Sequence, residues 1–313
     1  MAEIVVTEFL DPGPIEILKQ KYSVHIDTGL WSNRAELEAQ AAEAICLIVR
    51  NRTKVDAALL EKAPKLKVIG RLGVGLDNID VAACKARGVT VYPALGANAV
   101  SVAEYVIATA LIFLRGQAYF ASSRIAAGEW PREEMSRGHE AAGCRFGIIG
   151  YGSIGQIVGV RARCLGMHVV AHDDFLSAEN PAWEQAERAT LDELLDTCGV
   201  VSLHCPLTPE TRGLIGAREL ARMKKGAILI NTARGGIVDE QALANALRSG
   251  HLGGAAVDVF TTEPIDEATA AIFRGVPNLI LTPHIAGVTI ECNARISAVT
   301  VDNVMRALKA AGL

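Results

Sequence analysis

Three polar side chains in the second half of the chain follow apolar runs that predict buried strands: Arg234, Glu263 and His284. Ligands of parallel sheets bind in the crevice outside the carboxyl ends of the strands, so the three groups could meet one ligand. An imidazole exchanges protons near neutral pH, a carboxylate beside it favours its charged form, and a guanidinium holds a carboxylate by two parallel hydrogen bonds. Each residue also has an ordinary explanation: Arg234 could cap a helix, Glu263 could be solvated, and His284 could be a satisfied histidine beside a turn.

A glycine-rich motif in the middle of the chain indicates a bound dinucleotide. Residues 150–155 read Gly-Tyr-Gly-Ser-Ile-Gly, follow an apolar run and precede a helical stretch over residues 156–165. Side chains are excluded at Gly150, Gly152 and Gly155 because the strand must turn tightly, the backbone must approach a pyrophosphate and the helix must pack on the strand. The amides of the helix start would then hold the phosphates. The alternative is a glycine turn without a ligand inside an ordinary α/β sheet.

The carboxylate of Asp173 bears on which dinucleotide binds. This residue ends the next apolar run, where the fingerprint places an acid on the adenosine ribose hydroxyls. A ribose 2′-phosphate roughly 4 Å from the carboxylate would cost up to about 4 kcal/mol at an effective dielectric constant near 20. Asp174 adds to this penalty, and no arginine stands within the next several positions. The sequence therefore predicts NAD rather than NADP.

Short apolar runs alternate with helical patterns along the whole chain, which is typical of α/β folds with mostly parallel strands. Because about half of the chain precedes the glycine motif, we predict two Rossmann-like, doubly wound domains. Residues 1–98 with 288–313 would form a flavodoxin-like substrate-binding domain, and residues 99–287 an NAD-binding Rossmann domain. Helices over residues 101–114 and 291–310 would cross between them and leave an active-site cleft. The first of these helices is apolar nearly all the way round, so we expect part of it to be buried against a second subunit of a homodimer.

Composition excludes several classes of protein. The 313 residues carry a net charge of −4 and no basic block, which argues against a nucleic-acid partner. The most hydrophobic stretch, residues 105–114, is too short to span a bilayer, and the first residues lack the order of a signal peptide. We therefore expect a cytoplasmic protein with no membrane partner. The seven cysteines lack metal-ligand spacing, so we expect no metal and interpret them as core residues, with Cys205 as a candidate reactive thiol.

Several segments together resemble the D-isomer-specific 2-hydroxyacid dehydrogenases, and the resemblance spans nearly the whole chain. One departure is the Cys-Arg-Phe sequence before the motif, where relatives often have a Lys-Thr-Leu type sequence. The resemblance implies hydride transfer between NAD and a 2-hydroxy or 2-keto acid. It is carried by the glycine motif and by residues 73–80, 101–105, 203–208, 231–239 and 282–287.

The resemblance also implies roles for individual residues. His284 paired with Glu263 would be the acid/base, and Arg234 would orient the substrate carboxylate and polarise its carbonyl. Backbone amides around Val74 and Gly75 would meet the same carboxylate, which glycine permits by allowing close approach. The implied cofactor contacts are Gly150, Gly152, Ser153, Ile154 and Gly155 at the pyrophosphate, Asp173 at the adenosine ribose, His204 and Pro206 at the other ribose and the phosphates, and Thr232, Ala233 and Asp258 at the nicotinamide.

Three arginines of the first domain suggest that the substrate carries a second anionic group. Arg50, Arg52 and Arg71 follow predicted strands, and guanidinium forks match phosphate and sulfonate. The segments around them are similar to phosphoglycerate dehydrogenases and their sulfolactate-type relatives. We predict a 3-phosphoglycerate type of substrate, with 3-sulfolactate, or hydroxypyruvate and glyoxylate, as alternatives. The arginines could instead pair with Asp56 or Asp77 or be solvated, and a non-catalytic NAD-sensing binding protein is the alternative from another class.

Overall fold

The computed structural model describes residues 2–116 and 118–313, which form two compact α/β units. The first unit runs to Asn98 and resumes at Val288, and the second unit is Ala99–Gly287. The strands are β1 Ile4–Val6, β2 Val24–Ile26, β3 Cys46–Val49, β4 Val68–Arg71, β5 Thr90–Pro93, β6 Arg145–Ile149, β7 His168–His172, β8 Glu187–Arg188, β9 Val200–Leu203, β10 Ile228–Asn231, β11 Gly254–Val257 and β12 Leu279–Leu281. The helices are α1 Pro12–Lys19, α2 Arg34–Ala41, α3 Ala57–Lys62, α4 Val81–Ala86, α5 Ala99–Leu114, α6 Ser122–Ala126, α7 Arg132–Met135, α8 Ser153–Cys164, α9 Leu191–Thr197, α10 Ala217–Arg222, α11 Glu240–Arg248, α12 Glu267–Phe273 and α13 Ile290–Ala310.

The first unit is a parallel sheet in the order β2-β1-β3-β4-β5, covered by helices on both faces. Successive residues of a strand point to opposite faces, so Ile4 and Val6 pack with α1 and α13, whereas Val5 packs with α2, α3 and α4. Because both faces are buried, the strands are continuous apolar runs. The order reverses between β1 and β3, which places their carboxyl ends at a topological switch point.

The second unit is a parallel sheet in the order β12-β11-β10-β9-β6-β7-β8. Phe146 and Ile148 pack with α5 and α8 on one face, and Ile149 packs with α9 to α12 on the other. The order reverses between β6 and β9, so the glycine motif, which follows β6, lies at the switch point of this sheet. The predicted fold class, two doubly wound parallel sheets, is confirmed.

The apolar runs predicted most strands, but β8 was missed. Glu187 and Arg188 are exposed and polar, and they pair only with β7 at the edge of the sheet, so no apolar pattern marks them. Helix α8 begins at Ser153 rather than at the predicted position 156, because the glycine motif itself supplies its first turn. Among the described helices, none is long and apolar enough to cross a membrane.

Seven of the described helices begin at a side chain that accepts a hydrogen bond from a first-turn amide. Helix α8 differs from these seven because its N-cap is Gly152, which has no side chain to do this. Its first amides are therefore available to another acceptor. The side chains that cap these seven helices are Asn33, Asp56, Asp80, Thr190, Asp239, Asp266 and Thr289.

Candidate active site

The predicted cofactor residues all lie at the carboxyl edge of the second sheet. Backbone hydrogen bonds continue past the strand ends and hold the segments that follow them side by side. The Gly150 amide donates to His172 O at 2.8 Å, the His204 amide to Ile149 O at 2.7 Å, and the Asp258 amide to Asn231 O at 3.0 Å. Residues from five segments of the sequence therefore meet along one edge.

The glycine turn has the shape that a pyrophosphate requires. Gly150 has a φ of +91°, and a Cβ there would lie 2.6 Å from the Cys205 amide nitrogen. A Cβ on Gly155 would lie 2.3 Å from Gly150 O, so both positions need glycine for packing. A Cβ on Gly152 would meet nothing within 4 Å, because this residue borders open space at the start of α8. Ser153 and Ile154 form the first turn of α8 beside that space, and their amides fit a phosphate.

Asp173 follows β7, and its carboxylate holds the glycine turn. Its Oδ2 accepts from the Tyr151 amide at 2.7 Å, and its Oδ1 accepts from the amides of Phe175 and Leu176 at 2.9 and 3.0 Å. The Tyr151 ring is buried and stacks on Trp183 with ring centroids 5.7 Å apart. The carboxylate thus has a structural role that the sequence did not reveal.

We expect Asp173→Ala to lower the preference for NADH over NADPH by tenfold or more, because half of the roughly 4 kcal/mol repulsion already exceeds one factor of ten. Fluorescence titration of each cofactor gives the two dissociation constants. Asp173→Asn is the matched variant, since it removes the charge and keeps one acceptor oxygen, for Tyr151 or for Phe175 and Leu176. An unchanged ratio in both variants would place the ribose contact elsewhere.

The segments after β9 and β10 supply the groups predicted for the nicotinamide end. Thr232 Oγ1 is buried and has no hydrogen-bond partner among the described residues, which fits a ligand that completes it. His204 Nε2 lies 2.8 Å from Ser202 Oγ, and burial lowers the pKa of His204 to about 3, so the ring is neutral. Ala233 and Pro206 lie beside these two residues in the chain. Together with the glycine turn, these groups fit a dinucleotide.

Burial raises the pKa of Cys205 to about 11, so its thiol is protonated at neutral pH. The interpretation of Cys205 as a reactive thiol therefore has no support, because the thiolate is the nucleophile. Among the residues that the structure describes, no group of three or more His, Cys, Asp or Glu side chains could hold a metal ion.

Glu263 and His284 form a direct pair. Nδ1 of His284 lies 2.7 Å from Oε2 of Glu263, and Oε1 of Glu263 accepts from the Phe260 amide at 2.9 Å. Partial burial pushes the pKa of Glu263 up, but the hydrogen bonds from His284 and Phe260 and the charges of His284 and Arg234 outweigh it, so the pKa is lowered. Glu263 is thus a carboxylate at neutral pH, and Nε2 is the ring nitrogen of His284 left to meet a ligand.

Arg234 lies beside this pair. A Cβ on Gly235 would be 1.9 Å from Phe260 O, so the loop that carries Arg234 is in backbone contact with the loop that carries Glu263. The Arg234 guanidinium donates to Ala233 O at 2.7 Å through one nitrogen. The structure therefore brings the three predicted catalytic residues together, and they can hold a carboxylate and exchange a proton with an adjacent oxygen.

The predicted substrate residues of the first unit lie at the carboxyl edge of its own sheet. Val49 at the end of β3 pairs with Arg71 at the end of β4, so Arg50 and Arg71 are neighbours along this edge. The Arg71 side chain is 9% exposed and donates to Leu72 O at 2.5 Å. Val74 and Gly75 follow in the loop after β4.

A buried carboxylate that the sequence analysis missed shapes the loop of Arg50 and Arg52. Glu8, only 5% exposed, accepts from the amides of Arg50, Arg52 and Thr53 at 2.8, 3.2 and 3.0 Å. It also accepts from the Thr53 hydroxyl at 2.9 Å. An acid just after β1 was the available signal, since the same argument had selected the arginines after β3 and β4.

The guanidiniums of Arg50 and Arg52 are held by neutral groups. Arg50 Nη2 donates to Asn293 Oδ1 at 2.9 Å, and Arg52 Cζ lies 4.8 Å from the centre of the Trp31 ring. Asp56 instead pairs with Arg34. Among the described residues, neither Arg50 nor Arg52 forms an ion pair, so these two do not pair with Asp56 or Asp77; for Arg71 that alternative stays a prediction.

Comparison with known proteins identifies the family. The family model for the D-isomer specific 2-hydroxyacid dehydrogenase, NAD binding domain, matches residues 107–286. An (S)-sulfolactate dehydrogenase of Chromohalobacter salexigens is 52% identical, and the match covers 98% of this chain and 99% of that protein. A D-3-phosphoglycerate dehydrogenase of Mycobacterium leprae is 42% identical over 88% of this chain, which spans only 51% of that protein.

The solved structure of a D-lactate dehydrogenase from Aquifex aeolicus, complexed with NAD and lactic acid, is 29% identical and superimposes with a TM-score of 0.85. The superposition covers 98% of this chain and 95% of that one. The chain therefore belongs to the D-isomer specific 2-hydroxyacid dehydrogenase family and is an NAD-dependent enzyme that acts on the CH–OH group of 2-hydroxy acids.

Proposed function

We propose that the substrate is a 2-hydroxy acid with a second anionic group on C3, and that this group is the sulfonate of (S)-sulfolactate. The observation that carries the proposal is the pair of guanidiniums, Arg50 and Arg52, whose partners are an amide and an indole. A cation without a neighbouring anion keeps its full attraction for an anionic ligand.

The relatives support sulfonate ahead of phosphate. The sulfolactate dehydrogenase matches over almost its whole length at 52% identity, whereas the phosphoglycerate dehydrogenase matches over 51% of its length at 42% identity. We therefore place sulfolactate before the phosphoglycerate type that sequence analysis favoured. In this proposal Val74 and Gly75 bind the substrate carboxylate through their amides, and Arg71 supports the same edge of the sheet.

The second unit supplies the chemistry. In oxidation, the O–H bond of the substrate breaks as the C=O bond forms, and its proton passes to Nε2 of His284. The carboxylate of Glu263 on Nδ1 stabilises the imidazolium that results. Arg234 holds the substrate carboxylate and draws electron density from the carbonyl oxygen. When bound, NAD supplies the acceptor for the hydride that leaves the α-carbon.

The contacts that hold NAD in this proposal are those predicted from the sequence. Gly150, Gly152 and Gly155 shape the turn, and the amides of Ser153 and Ile154 bind the pyrophosphate. Thr232 Oγ1, a buried atom without a partner among the described residues, is completed by the nicotinamide. The remaining contacts are those of Asp173 and His204 with the riboses, Pro206 with the adjoining phosphate, and Ala233 and Asp258 with the nicotinamide.

Kinetics with a panel of keto acids tests the substrate. We expect kcat/KM for sulfopyruvate to exceed that for hydroxypyruvate by about 100-fold, because charge-assisted hydrogen bonds contribute about 1.5–3 kcal/mol each. Arg52→Gln should remove most of that advantage and leave hydroxypyruvate reduction nearly unchanged. The control is Arg34→Gln, an arginine of the same unit already paired with Asp56.

Three outcomes of this panel would contradict the proposal. Preference for phosphohydroxypyruvate would show that the second anionic group of the substrate is a phosphate and not a sulfonate. If hydroxypyruvate or glyoxylate reacted as fast as sulfopyruvate, the enzyme would not recognise a second anionic group on its substrate. No turnover with any keto acid, combined with retained NADH binding, would indicate a non-catalytic NAD-sensing protein.

We also propose that the enzyme is a homodimer associated through residues 118–138. The short helices of this segment contain no buried residue, and two of its aromatic side chains are largely exposed: Tyr119 by 64% and Trp130 by 79%. A second copy would cover these apolar side chains.

We expect Trp130→Ser to weaken dimerisation about 30-fold, as for a central aromatic residue of an interface. Sedimentation over a concentration series measures it, and Phe175→Ser, equally exposed at 78%, is the control. A wild-type monomer, or equal effects of both variants, would refute this interface.

A further inference from the structure

The carboxylate of Asp258 is turned toward the loop that carries His284. Asp258 follows β11 and is 1% exposed. Its Oδ1 accepts from the Ile285 amide and its Oδ2 from the Ala286 amide, both at 2.8 Å. The backbone carbonyl of Asp258 accepts from the His284 amide at 2.8 Å. One buried residue therefore holds the main chain at His284 and at the two residues that follow.

His284 needs such support because its backbone is strained. Its φ is +56°, in the left-handed region, which is unfavourable for a residue other than glycine and persists only where the surroundings impose it. The ring is held separately, by Glu263 at Nδ1. The direction of Nε2 thus depends both on the pairing with Glu263 and on the hydrogen bonds between Asp258 and the main chain.

Two hydroxyl groups continue the hydrogen bonding of Asp258 from the His284 loop to helix α5. Thr282 Oγ1 donates to Asp258 Oδ1 at 2.5 Å. A carboxylate can only accept, so the single hydroxyl hydrogen of Thr282 is donated to Asp258. Thr282 Oγ1 therefore accepts from the Tyr105 hydroxyl, which lies 2.8 Å away. Tyr105 belongs to α5, a helix that packs on α8 and β10 inside the second unit. Burial raises the pKa of Tyr105 despite the bond to Thr282, and the charge of Asp258 adds to it, so the phenol keeps its proton.

We propose that Tyr105 and Thr282 are positioning residues that act through Asp258 to hold the proton-exchanging nitrogen of His284 in place. The inference rests on the proposed role of His284. It adds two residues, 177 positions apart, to the apparatus that orients this side chain. It also gives Asp258 a main task other than the nicotinamide contact, since three donors already occupy its carboxylate.

Removal of the Thr282 hydroxyl is the decisive change. Thr282→Val should lower kcat by about 10- to 100-fold, the value of one charge-assisted hydrogen bond, with the NADH dissociation constant nearly unchanged. Tyr105→Phe should lower kcat less, by about three- to tenfold, because it removes a bond between neutral groups that lies farther from His284. Thr282→Ser keeps the hydroxyl and should restore kcat to near the wild-type value.

A double-mutant cycle separates positioning from general loosening. If Thr282 acts through His284, Thr282→Val should change the residual rate of the His284→Gln enzyme by less than about twofold. Equal losses in both backgrounds, a parallel loss of NADH affinity, or failure of Thr282→Ser to restore kcat would each overturn the inference. Wild-type turnover in His284→Gln alone would instead show that the premise about His284 is wrong, and the inference would fall with it.

Discussion

Replacement of His284 by Gln is expected to lower kcat for keto-acid reduction by about 10²–10⁴-fold, the usual contribution of a positioned general acid. An amide has nearly the size of the imidazole but cannot deliver a proton to the alkoxide that hydride addition creates. NADH affinity should barely change, because the contacts proposed for the pyrophosphate and the riboses lie at other strand ends. Steady-state kinetics combined with fluorescence titration of NADH gives both quantities.

Glu263→Gln is the matched variant for this prediction. It keeps one acceptor oxygen, which can face either Nδ1 of His284 or the Phe260 amide, and it removes the charge that stabilises the imidazolium. We expect a smaller loss of kcat than for His284→Gln. A parallel loss of turnover and NADH affinity in His284→Gln would mean that the residue is structural, and an unchanged kcat would assign the proton to another group.

Arg234→Lys is expected to lower kcat/KM by about 10²–10³-fold. The lysine keeps the positive charge near Glu263 but loses the planar fork that binds a carboxylate through two hydrogen bonds, each contributing about 1.5–3 kcal/mol. Because the charge remains, the low pKa of Glu263 should be preserved, so the loss reports geometry and not electrostatics. Kinetics across a range of keto-acid concentrations separates the effect on KM from that on kcat.

Two further arginine variants complete that experiment. Arg234→Gln removes the charge as well and should lose more activity than Arg234→Lys. Arg218→Lys, whose side chain is 71% exposed and pairs with Glu219, should behave as the wild type. Retention of kcat/KM in Arg234→Lys would show that the guanidinium fork does not bind the substrate carboxylate.

Much of this site could be predicted because each signal depends on residues that are close together in the sequence. A tight turn, a close backbone approach and helix packing each exclude a side chain, so the glycines at 150, 152 and 155 are visible as a pattern. Apolar runs marked most strands because both faces of each sheet are buried. Polar residues just after those runs, such as Arg234 and His284, could be selected because the carboxyl ends of parallel strands share one edge.

The contacts made by those residues were decided by the tertiary structure. Nothing in the sequence distinguishes Asp56, which pairs with Arg34, from an acid that might neutralise Arg50, and nothing links Glu8 to the amides 42 to 45 positions away. The same holds for Tyr105 and Thr282, which meet only because α5 packs beside the sheet that ends in the His284 loop.

The sequence by itself determined the elements, the dinucleotide turn and the positions of the chemical groups, since each depends on neighbours within a few residues. Only the tertiary structure decided which polar group faces which, and it imposed the left-handed backbone of His284. The physical reason is that hydrogen bonds and ion pairs between distant residues are set by strand order, register and helix packing. Chemically similar side chains are interchangeable in a sequence until the fold places one of them within about 3 Å of its partner.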